Sequence, residues 1–129
     1  MTTPVRSERV RIAIFVKRKS GMSKEEFSHY WAEVHGPQFM ALDVAKRNVL
    51  KYEQAHLNDE MVRIFGAGGF PMPDYDGIAI LEGESYPKLM KVSQSEKVQN
   101  FMREDSENFM DAAAMQYLPL DTISFTDEI

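Results

Sequence analysis

Imidazole is the first side chain to consider for chemistry in this sequence of 129 residues, which contains three histidines and no cysteine. His35 follows Phe27 and Trp31 at helical spacing, so it would end an apolar helix face beside the core. The C-terminal end of a helix favours imidazolium and would bring a histidine pKa of about 6.5 towards working pH. We predict that His35 is a catalytic acid or base; a helix cap bonded to a loop carbonyl is the alternative.

A second polar group lies on a predicted strand, where Tyr52, Gln54 and His56 share one face because alternate side chains point the same way. A packed sheet favours aliphatic side chains at such positions, so three polar tips indicate a cavity wall. A solvated edge strand is the alternative. We predict that His56 is the second member of a catalytic acid/base pair. Tyr52 and Gln54 would bind substrate by donating hydrogen bonds to an enolate oxygen.

Aromatic and methionine side chains are abundant, and the nine methionines offer adaptable walls for a flat ligand. We predict that Trp31, Phe39, Phe65 and Tyr75 bind substrate, and that the glycine-containing segment 65–75 is a mobile lid that excludes water. The sequence has neither a His-x-x-x-His spacing for a metal nor a phosphate-binding loop. We therefore expect no metal and no cofactor.

These side chains must be positioned by a small set of regular elements. Alternation with a period of two predicts strands over Val10–Val16 and Val49–Leu57. A short apolar run predicts a third strand over Gly77–Glu82, and a fourth is predicted over Tyr117–Phe125.

Helix signals fall between the predicted strands. The run Ser23-Lys24-Glu25-Glu26 is a capping box that begins a helix. Gly36-Pro37 predicts an interruption after His35, although the proline can open a second helical piece. Glycines and prolines predict a surface loop over Asn58–Asp76, and a broken helix is predicted over Ser85–Met110.

The resulting order, βαββαβ, predicts an α+β, ferredoxin-like fold: an antiparallel four-stranded sheet with helices on one face. The other face of the sheet would be bare. A homodimer with two sheets packed face to face, a dimeric α+β barrel, is the simplest way to cover it. A chain of this size buries enough surface for one domain, which we expect to span residues 1–129.

Composition excludes several classes of partner. The net charge of −5 and the pI of about 5.2 argue against nucleic acid and against an anionic membrane surface. The longest apolar run, Ile12–Val16, is far shorter than the ~18 residues that span a bilayer. The absence of cysteine fits a reducing compartment, so we expect a cytoplasmic protein.

One long motif carries a family resemblance. Residues 21–37, Gly-Met-Ser-Lys-Glu-Glu-Phe-Ser-His-Tyr-Trp-Ala-Glu-Val-His-Gly-Pro, resemble the opening of EthD-domain proteins, a branch of the dimeric α+β-barrel superfamily. Residues 52–56 are similar to the second strand of that family, and residues 75–77 to the start of its third. Residues 105–109 resemble the Asp-His-Glu-Asn-Phe of fungal members, with Ser106 in place of the histidine.

The resemblance implies a class of chemistry. Relatives in the superfamily include cofactor-free cyclases, dehydratases and decarboxylases of aromatic polyketides. On that basis we expect a cofactor-independent lyase or cyclase that acts on a small aromatic or polyketide substrate through an enolate. Two alternatives stay open, because fold does not choose among functions. One is a cofactor-free monooxygenase that oxidises an anthrone-type substrate, and the other is a non-catalytic dimer that binds a small molecule.

Overall fold

The computed structural model describes residues 3–126, which form one four-stranded sheet and a layer of short helices. The strands are β1 (Val5–Val16), β2 (Lys51–His56), β3 (Gly77–Gly83) and β4 (Gln116–Ser124). The helices are α1 (Lys24–Tyr30), α2 (Gly36–Met40), α3 (Asp43–Asn48), α4 (Asp59–Ala67), α5 (Tyr86–Gln94) and α6 (Glu96–Ser106), with a π-helical turn at Trp31–His35 and a 3-10 turn at Ala112–Ala114.

The strands follow the order β2-β3-β1-β4, and every neighbouring pair is antiparallel. This is the ferredoxin-like α+β arrangement, and the prediction of the fold class is confirmed. The centre is β1, where Ile12 pairs with Leu81 on one side and with Pro119 on the other.

The structure differs from the predicted elements most clearly in two places. Strand β1 begins at Val5 rather than Val10, because Val5 pairs with Ser124 beyond an irregularity in the register. The segment 58–76, predicted as a loop, contains helix α4. Asn58 caps that helix by accepting a hydrogen bond from the backbone N–H of Met61, a local signal that outweighs the glycines farther along.

The core lies between the helices and one face of the sheet. Ile12 and Ile14 of β1 pack against it, together with Leu81 of β3. Around them lie buried side chains from the helical layer: Phe39, Ala45, Leu89, Val92 and Val98. A second cluster at the end of the sheet contains Val16, Phe27, Trp31, Phe109 and Met110.

The opposite face of the sheet carries an apolar group beside an ion-pair cluster. Ala13 is buried there, whereas its neighbours Phe15, Ile78, Ile80 and Leu118 are half-buried. At the end of the group, Glu82 accepts from Arg9 at 3.0 Å and from Arg11 at 2.9 Å. Because the two arginines stabilise its charge, the pKa of Glu82 is held below its ordinary value.

No helix within residues 3–126 is long and apolar enough to cross a membrane.

Candidate functional site

A cavity of about 590 Å³ lies between the sheet and the helices. Its buried end is formed by Trp31, His35, Phe39 and Tyr52, four of the residues predicted for the site. The rest of its lining is mostly aliphatic or methionine, with Ile12, Ile14, Val16, Ala79, Leu81, Leu89, Val92, Val98, Met102, Met110 and Met115. An apolar wall with a few polar groups is typical of a small-molecule site.

The mouth of the cavity lies between α5, α6 and β4. The exposed lining side chains there are Met90, Ser93, Gln99, Tyr117 and Pro119. Among the lining side chains in residues 3–126, none is Lys, Arg, Asp or Glu. The cavity therefore offers hydrogen-bonding groups but no fixed charge to a ligand.

His35 reaches the cavity from the middle of a helix. The helix does not stop at Gly36-Pro37, as the sequence predicted, but continues from Lys24 to Met40 through the π-helical turn. The N–H of Gly36 bonds to the carbonyl oxygen of Trp31, five residues earlier. Proline lacks an N–H and its ring collides with the carbonyl four residues before it, and the wider turn relieves that conflict without ending the helix.

The side chain of His35 is fixed by a carboxylate from α6. Its Nδ1 lies 2.7 Å from Oδ2 of Asp105, and both side chains are buried. The other carboxylate oxygen, Oδ1, accepts the hydroxyl of Tyr30 at 2.5 Å. That hydroxyl oxygen in turn accepts from Nδ2 of Asn108 at 2.9 Å. Asp105 is thus held from two sides and bonds to one ring nitrogen of the histidine.

This contact determines which nitrogen of His35 is available. A carboxylate only accepts, so Nδ1 carries the hydrogen and Nε2 of the neutral ring holds a lone pair. Nε2 of His35 has no hydrogen-bond partner among the described residues. Every side-chain nitrogen or oxygen that is fully enclosed there does have a partner, so Nε2 is not fully enclosed. Nε2 is therefore reached from the cavity.

Burial lowers the pKa of His35, and the bond to Asp105 together with its negative charge opposes part of that shift. The sequence predicted the opposite direction from a position at a helix end. That prediction is wrong because the helix continues past His35, while the rings of Phe39, Phe101 and Phe109 surround the imidazole at centroid distances of 4.8–6.3 Å. The neutral imidazole, with a basic Nε2, is the form that the site favours.

Tyr52 is the second polar group at the buried end of the cavity. Its hydroxyl oxygen accepts Nε2 of Gln54 at 2.8 Å. Burial raises the pKa of Tyr52, with hydrogen bonding from Gln54 and Trp31 opposing the rise, so the phenol stays protonated at neutral pH. The hydroxyl donates to no acceptor among residues 3–126, and Tyr52 lines the cavity.

Gln54 and His56 lie behind this wall, and neither lines the cavity. His56 bonds through Nε2 to Oε1 of Gln54 at 2.9 Å and through Nδ1 to Oγ of Ser28 at 3.0 Å. Its ring packs on the indole of Trp31, with centroids 4.4 Å apart. The predicted direct roles of His56 and Gln54 at the substrate do not fit this placement, because Trp31 and Tyr52 stand between them and the cavity.

Phe65 and Tyr75 also lie away from the cavity lining. Tyr75 stacks on Phe15, with ring centroids 4.8 Å apart, and its hydroxyl donates to Gln116. Phe15 is on the face of β1 opposite to Ile12 and Ile14, so Tyr75 belongs to the other side of the sheet. Phe65 is exposed on α4 and packs on Phe70. The structure therefore does not place the predicted lid over this cavity.

The predicted set of site residues does not include Asp105, Tyr30 or Asn108. A signal existed for Asp105, which follows the inward side chains Val98 and Phe101 at helical spacing and so breaks an apolar stripe with a carboxylate. Among residues 3–126, no group of three His, Asp or Glu side chains is arranged to hold a metal ion.

Solved structures share the fold at low sequence identity. A dimeric ferredoxin-like protein from Bacteroides fragilis aligns with a TM-score of 0.57 at 10% identity, over 92% of this chain and 100% of that one. An EthD family protein from Bacillus halodurans gives 0.54 at 12% identity, over 94% and 99%. A hydroxynitrile lyase from Passiflora edulis gives 0.52 at 14% identity, over 94% and 95%. At these identities the similarity shows the fold alone.

No curated protein is significantly similar to this chain in sequence. Residues 19–113 match the sequence profile of the EthD domain, and the match includes His35, Tyr52 and Asp105. The match covers most of the chain, and the chain therefore belongs to the EthD domain family.

Proposed function

We propose that this protein is a cofactor-independent lyase or cyclase that removes a proton beside a carbonyl of an uncharged aromatic polyketide. The observation that carries the proposal is the placement of the two ring nitrogens of His35. Asp105 holds Nδ1, and Nε2 is available in an apolar cavity. A buried, oriented and neutral imidazole is a suitable general base.

The chemical step uses two groups at the buried end of the cavity. Nε2 of His35 takes the proton, and the electron pair of the broken C–H bond forms the enolate double bond. The resulting oxygen anion accepts the hydroxyl of Tyr52, a donor aimed at the developing charge. In dehydration, the enolate electron pair forms a C=C bond as the C–O bond to the leaving hydroxyl breaks, and the imidazolium gives its proton to that hydroxyl, which departs as water. In aldol ring closure, the enolate carbon bonds to an acceptor carbonyl carbon, and the imidazolium protonates the resulting alkoxide.

The cavity supports a neutral, apolar substrate. Its wall is largely aliphatic and aromatic and contains no charged side chain among residues 3–126. A substrate carboxylate or phosphate would enter without a cation to pair with, which is costly in an apolar site. A volume of about 590 Å³ is in the range of sites that bind drug-sized molecules. The shared fold of the Passiflora edulis hydroxynitrile lyase supports lyase chemistry on this architecture.

The protein would act as a homodimer of single-domain chains. The group of Ala13, Phe15, Ile78, Ile80 and Leu118 supplies an apolar face for a second sheet. The Bacteroides fragilis protein of the same fold is dimeric, which supports this assembly.

Anthrone is a suitable probe because it is flat and uncharged, and its central ring contains an acidic methylene whose deprotonation gives an anion delocalised onto the carbonyl oxygen. In deuterated buffer without oxygen, the wild-type protein should accelerate exchange of the methylene protons, followed by NMR. His35→Gln should lower kcat by about 10²-fold, the scale of a lost proton-transfer group. His29→Gln is the matched control, because His29 is an exposed histidine of α1.

The same probe separates the alternatives. Stoichiometric uptake of oxygen with anthrone in air would indicate a monooxygenase. Binding of anthrone without exchange would indicate a binding protein. Exchange at the wild-type rate in His35→Gln would contradict the proposed base.

A further inference from the structure

The amide of Gln54 has only one orientation compatible with its neighbours. Its nitrogen, Nε2, lies 2.8 Å from the backbone carbonyl oxygen of Trp31, which can only accept. The same Nε2 lies 2.8 Å from the hydroxyl oxygen of Tyr52. Gln54 therefore donates to Tyr52, and the phenol oxygen is the acceptor in that bond.

The other end of the amide determines the state of His56. Oε1 of Gln54 can only accept, so Nε2 of His56, at 2.9 Å, carries a hydrogen. Burial lowers the pKa of His56 and favours the neutral ring, in which Nδ1 then holds the lone pair. Ser28, with Oγ 3.0 Å from Nδ1, donates its hydroxyl to it. Hydrogen bonds thus run in one direction from Ser28 through His56 and Gln54 to Tyr52.

We infer that Gln54 and His56 are positioning residues that act from behind the cavity wall and direct the hydroxyl hydrogen of Tyr52 towards the ligand. The inference rests on the proposed function, in which Tyr52 binds the enolate oxygen. Because Gln54 already donates to the phenol oxygen, the phenol hydrogen cannot point at that amide. Tyr52 lines the cavity, so a ligand carbonyl bound there would supply the acceptor that the phenol hydrogen lacks.

Packing keeps this chain of hydrogen bonds in place. The indole of Trp31 covers the ring of His56, while the backbone of the same residue anchors Gln54. Gly36 lies beside them, and a Cβ at that position would lie 2.9 Å from Nε2 of Gln54. The helix backbone therefore approaches the amide closely, and the amide has little freedom to turn over.

The test compares two probes of similar shape, 2-acetylnaphthalene and 2-ethylnaphthalene, of which only the first can accept a hydrogen bond. The wild-type protein should prefer the carbonyl probe by roughly two- to tenfold, the range of one net hydrogen bond. Gln54→Glu is nearly isosteric but turns the donor into an acceptor, so it should abolish that preference. Glu53→Gln, an exposed change on the same strand facing the other way, is the matched control.

A double-mutant cycle with Tyr52→Phe distinguishes positioning from general damage. If Gln54 acts through Tyr52, Gln54→Glu should change the probe preference by less than twofold once the phenol is absent. Equal losses in both backgrounds, or a wild-type protein without any carbonyl preference, would overturn the inference. Should the buried glutamate prevent folding, Gln54→Met removes the donor without adding charge and should give the same loss.

Nitrogen NMR of the imidazoles tests the role of His56 without any ligand. The wild-type protein should show His56 protonated on Nε2 and unprotonated on Nδ1. Protonation on Nδ1 instead would contradict the direction of the hydrogen bonds and with it the inference. If anthrone exchange is not catalysed while the carbonyl preference and this tautomer are observed, the proposed function fails and the positioning inference stands.

Discussion

Nδ1 of His35 and Oδ2 of Asp105 are 2.7 Å apart in the folded chain and 70 residues apart in sequence. The bond joins the first helical segment to the end of α6 and fixes the imidazole in one tautomer. In this tautomer, Nε2 of His35 is the acceptor nitrogen. In His56, which bonds to Gln54 and Ser28, the acceptor nitrogen is Nδ1 instead.

Replacement of the carboxylate tests this bond directly. An amide at position 105 can donate as well as accept, so Asp105→Asn no longer enforces a hydrogen on Nδ1 of His35. We expect kcat for anthrone exchange to fall by about 10²-fold, because much of the ring population would expose the wrong nitrogen. Tyr30→Phe removes only the second donor to Asp105 and should have a smaller effect. Equal activity of Asp105→Asn and wild type would show that the carboxylate does not orient the base.

The low pKa of His35 predicts how activity depends on pH. The base must be neutral, and burial holds its pKa below the ordinary 6.5. The value of kcat/KM should therefore stay level as pH falls from 8 to 6.5 and decline only at lower pH. A decline that begins above pH 7 would mean that the bond to Asp105 outweighs burial.

The same shift links stability to pH. Below pH 6.5 the unfolded chain binds a proton at His35 more readily than the folded chain does, so the free energy of unfolding should fall as pH decreases through this range. His56 is shifted in the same direction. Denaturant titrations at pH 7.5 and 5.5 should therefore show a smaller loss for His35→Gln than for wild type, without removing the loss entirely. An equal loss in both proteins would place the effect elsewhere.

Gly77 is required by the indole that packs on it. A Cβ there would overlap the ring of Trp31 and lie 2.8 Å from the carbonyl oxygen of Ala55. We expect Gly77→Ala to lower the free energy of unfolding by about 1–3 kcal/mol, the usual range for overpacking. Gly66→Ala is the control, since its Cβ would meet nothing closer than Met72 at 3.9 Å. Helix α4 should tolerate or gain from that alanine, and urea denaturation of both variants measures the contrast.

The uncharged wall predicts selectivity between ligands of one shape. At pH 8, 2-acetylnaphthalene should bind at least tenfold more tightly than 2-naphthoate, because the cavity pairs no cation with a carboxylate. Fluorescence titration of each ligand measures the ratio. Tighter binding of 2-naphthoate would favour a substrate acid, and with it decarboxylation.

The oligomeric state tests the apolar sheet face. Light scattering at micromolar concentration should give the mass of a homodimer, and Leu118→Lys should shift it towards the monomer by placing a charge among Ala13 and Ile80. Lys46→Glu makes a charge change on the exposed side of α3, in the helical layer away from this face, and serves as the control. A monomeric wild-type protein would contradict the face-to-face assembly.

The periodicity of apolar residues is enough to predict where the four strands lie along the chain, because alternation and helical spacing are local properties of the sequence. The same periodicity predicts an inward face for each helix or strand, and the inward side chains His35, Trp31, Phe39 and Tyr52 all line the cavity. Local patterns do not reveal pairing between distant elements. Asp105 was missed for that reason, although its place in an apolar stripe was visible in the sequence.

The predictions that are wrong share another cause. In each of them, contacts with neighbouring residues in the folded chain outweigh the local sequence signal. Pro37 normally ends a helix, but the π-helical turn accommodates it. The aromatic type of Tyr75 and its place in the segment 65–75 predict a position at the cavity, whereas the register of β1 places its partner Phe15 on the opposite face. Burial reverses the expected direction of the His35 pKa, and burial depends on rings such as Phe109 that come from the far end of the chain.

The pairing of β1 with β4 sets the order in which the molecule can assemble. Strand β1 precedes every helix in the sequence. Its residue Ile12 can pair with Pro119 only after β4, the last strand, has joined the sheet. Contacts between such distant segments form slowly, because a long loop must close before they are made. Asp105 and His35 are 70 residues apart in sequence, so the bond between them should also form late in refolding. A slow kinetic phase would then report the maturation of the site, whereas the capped helix after Ser23 would form early.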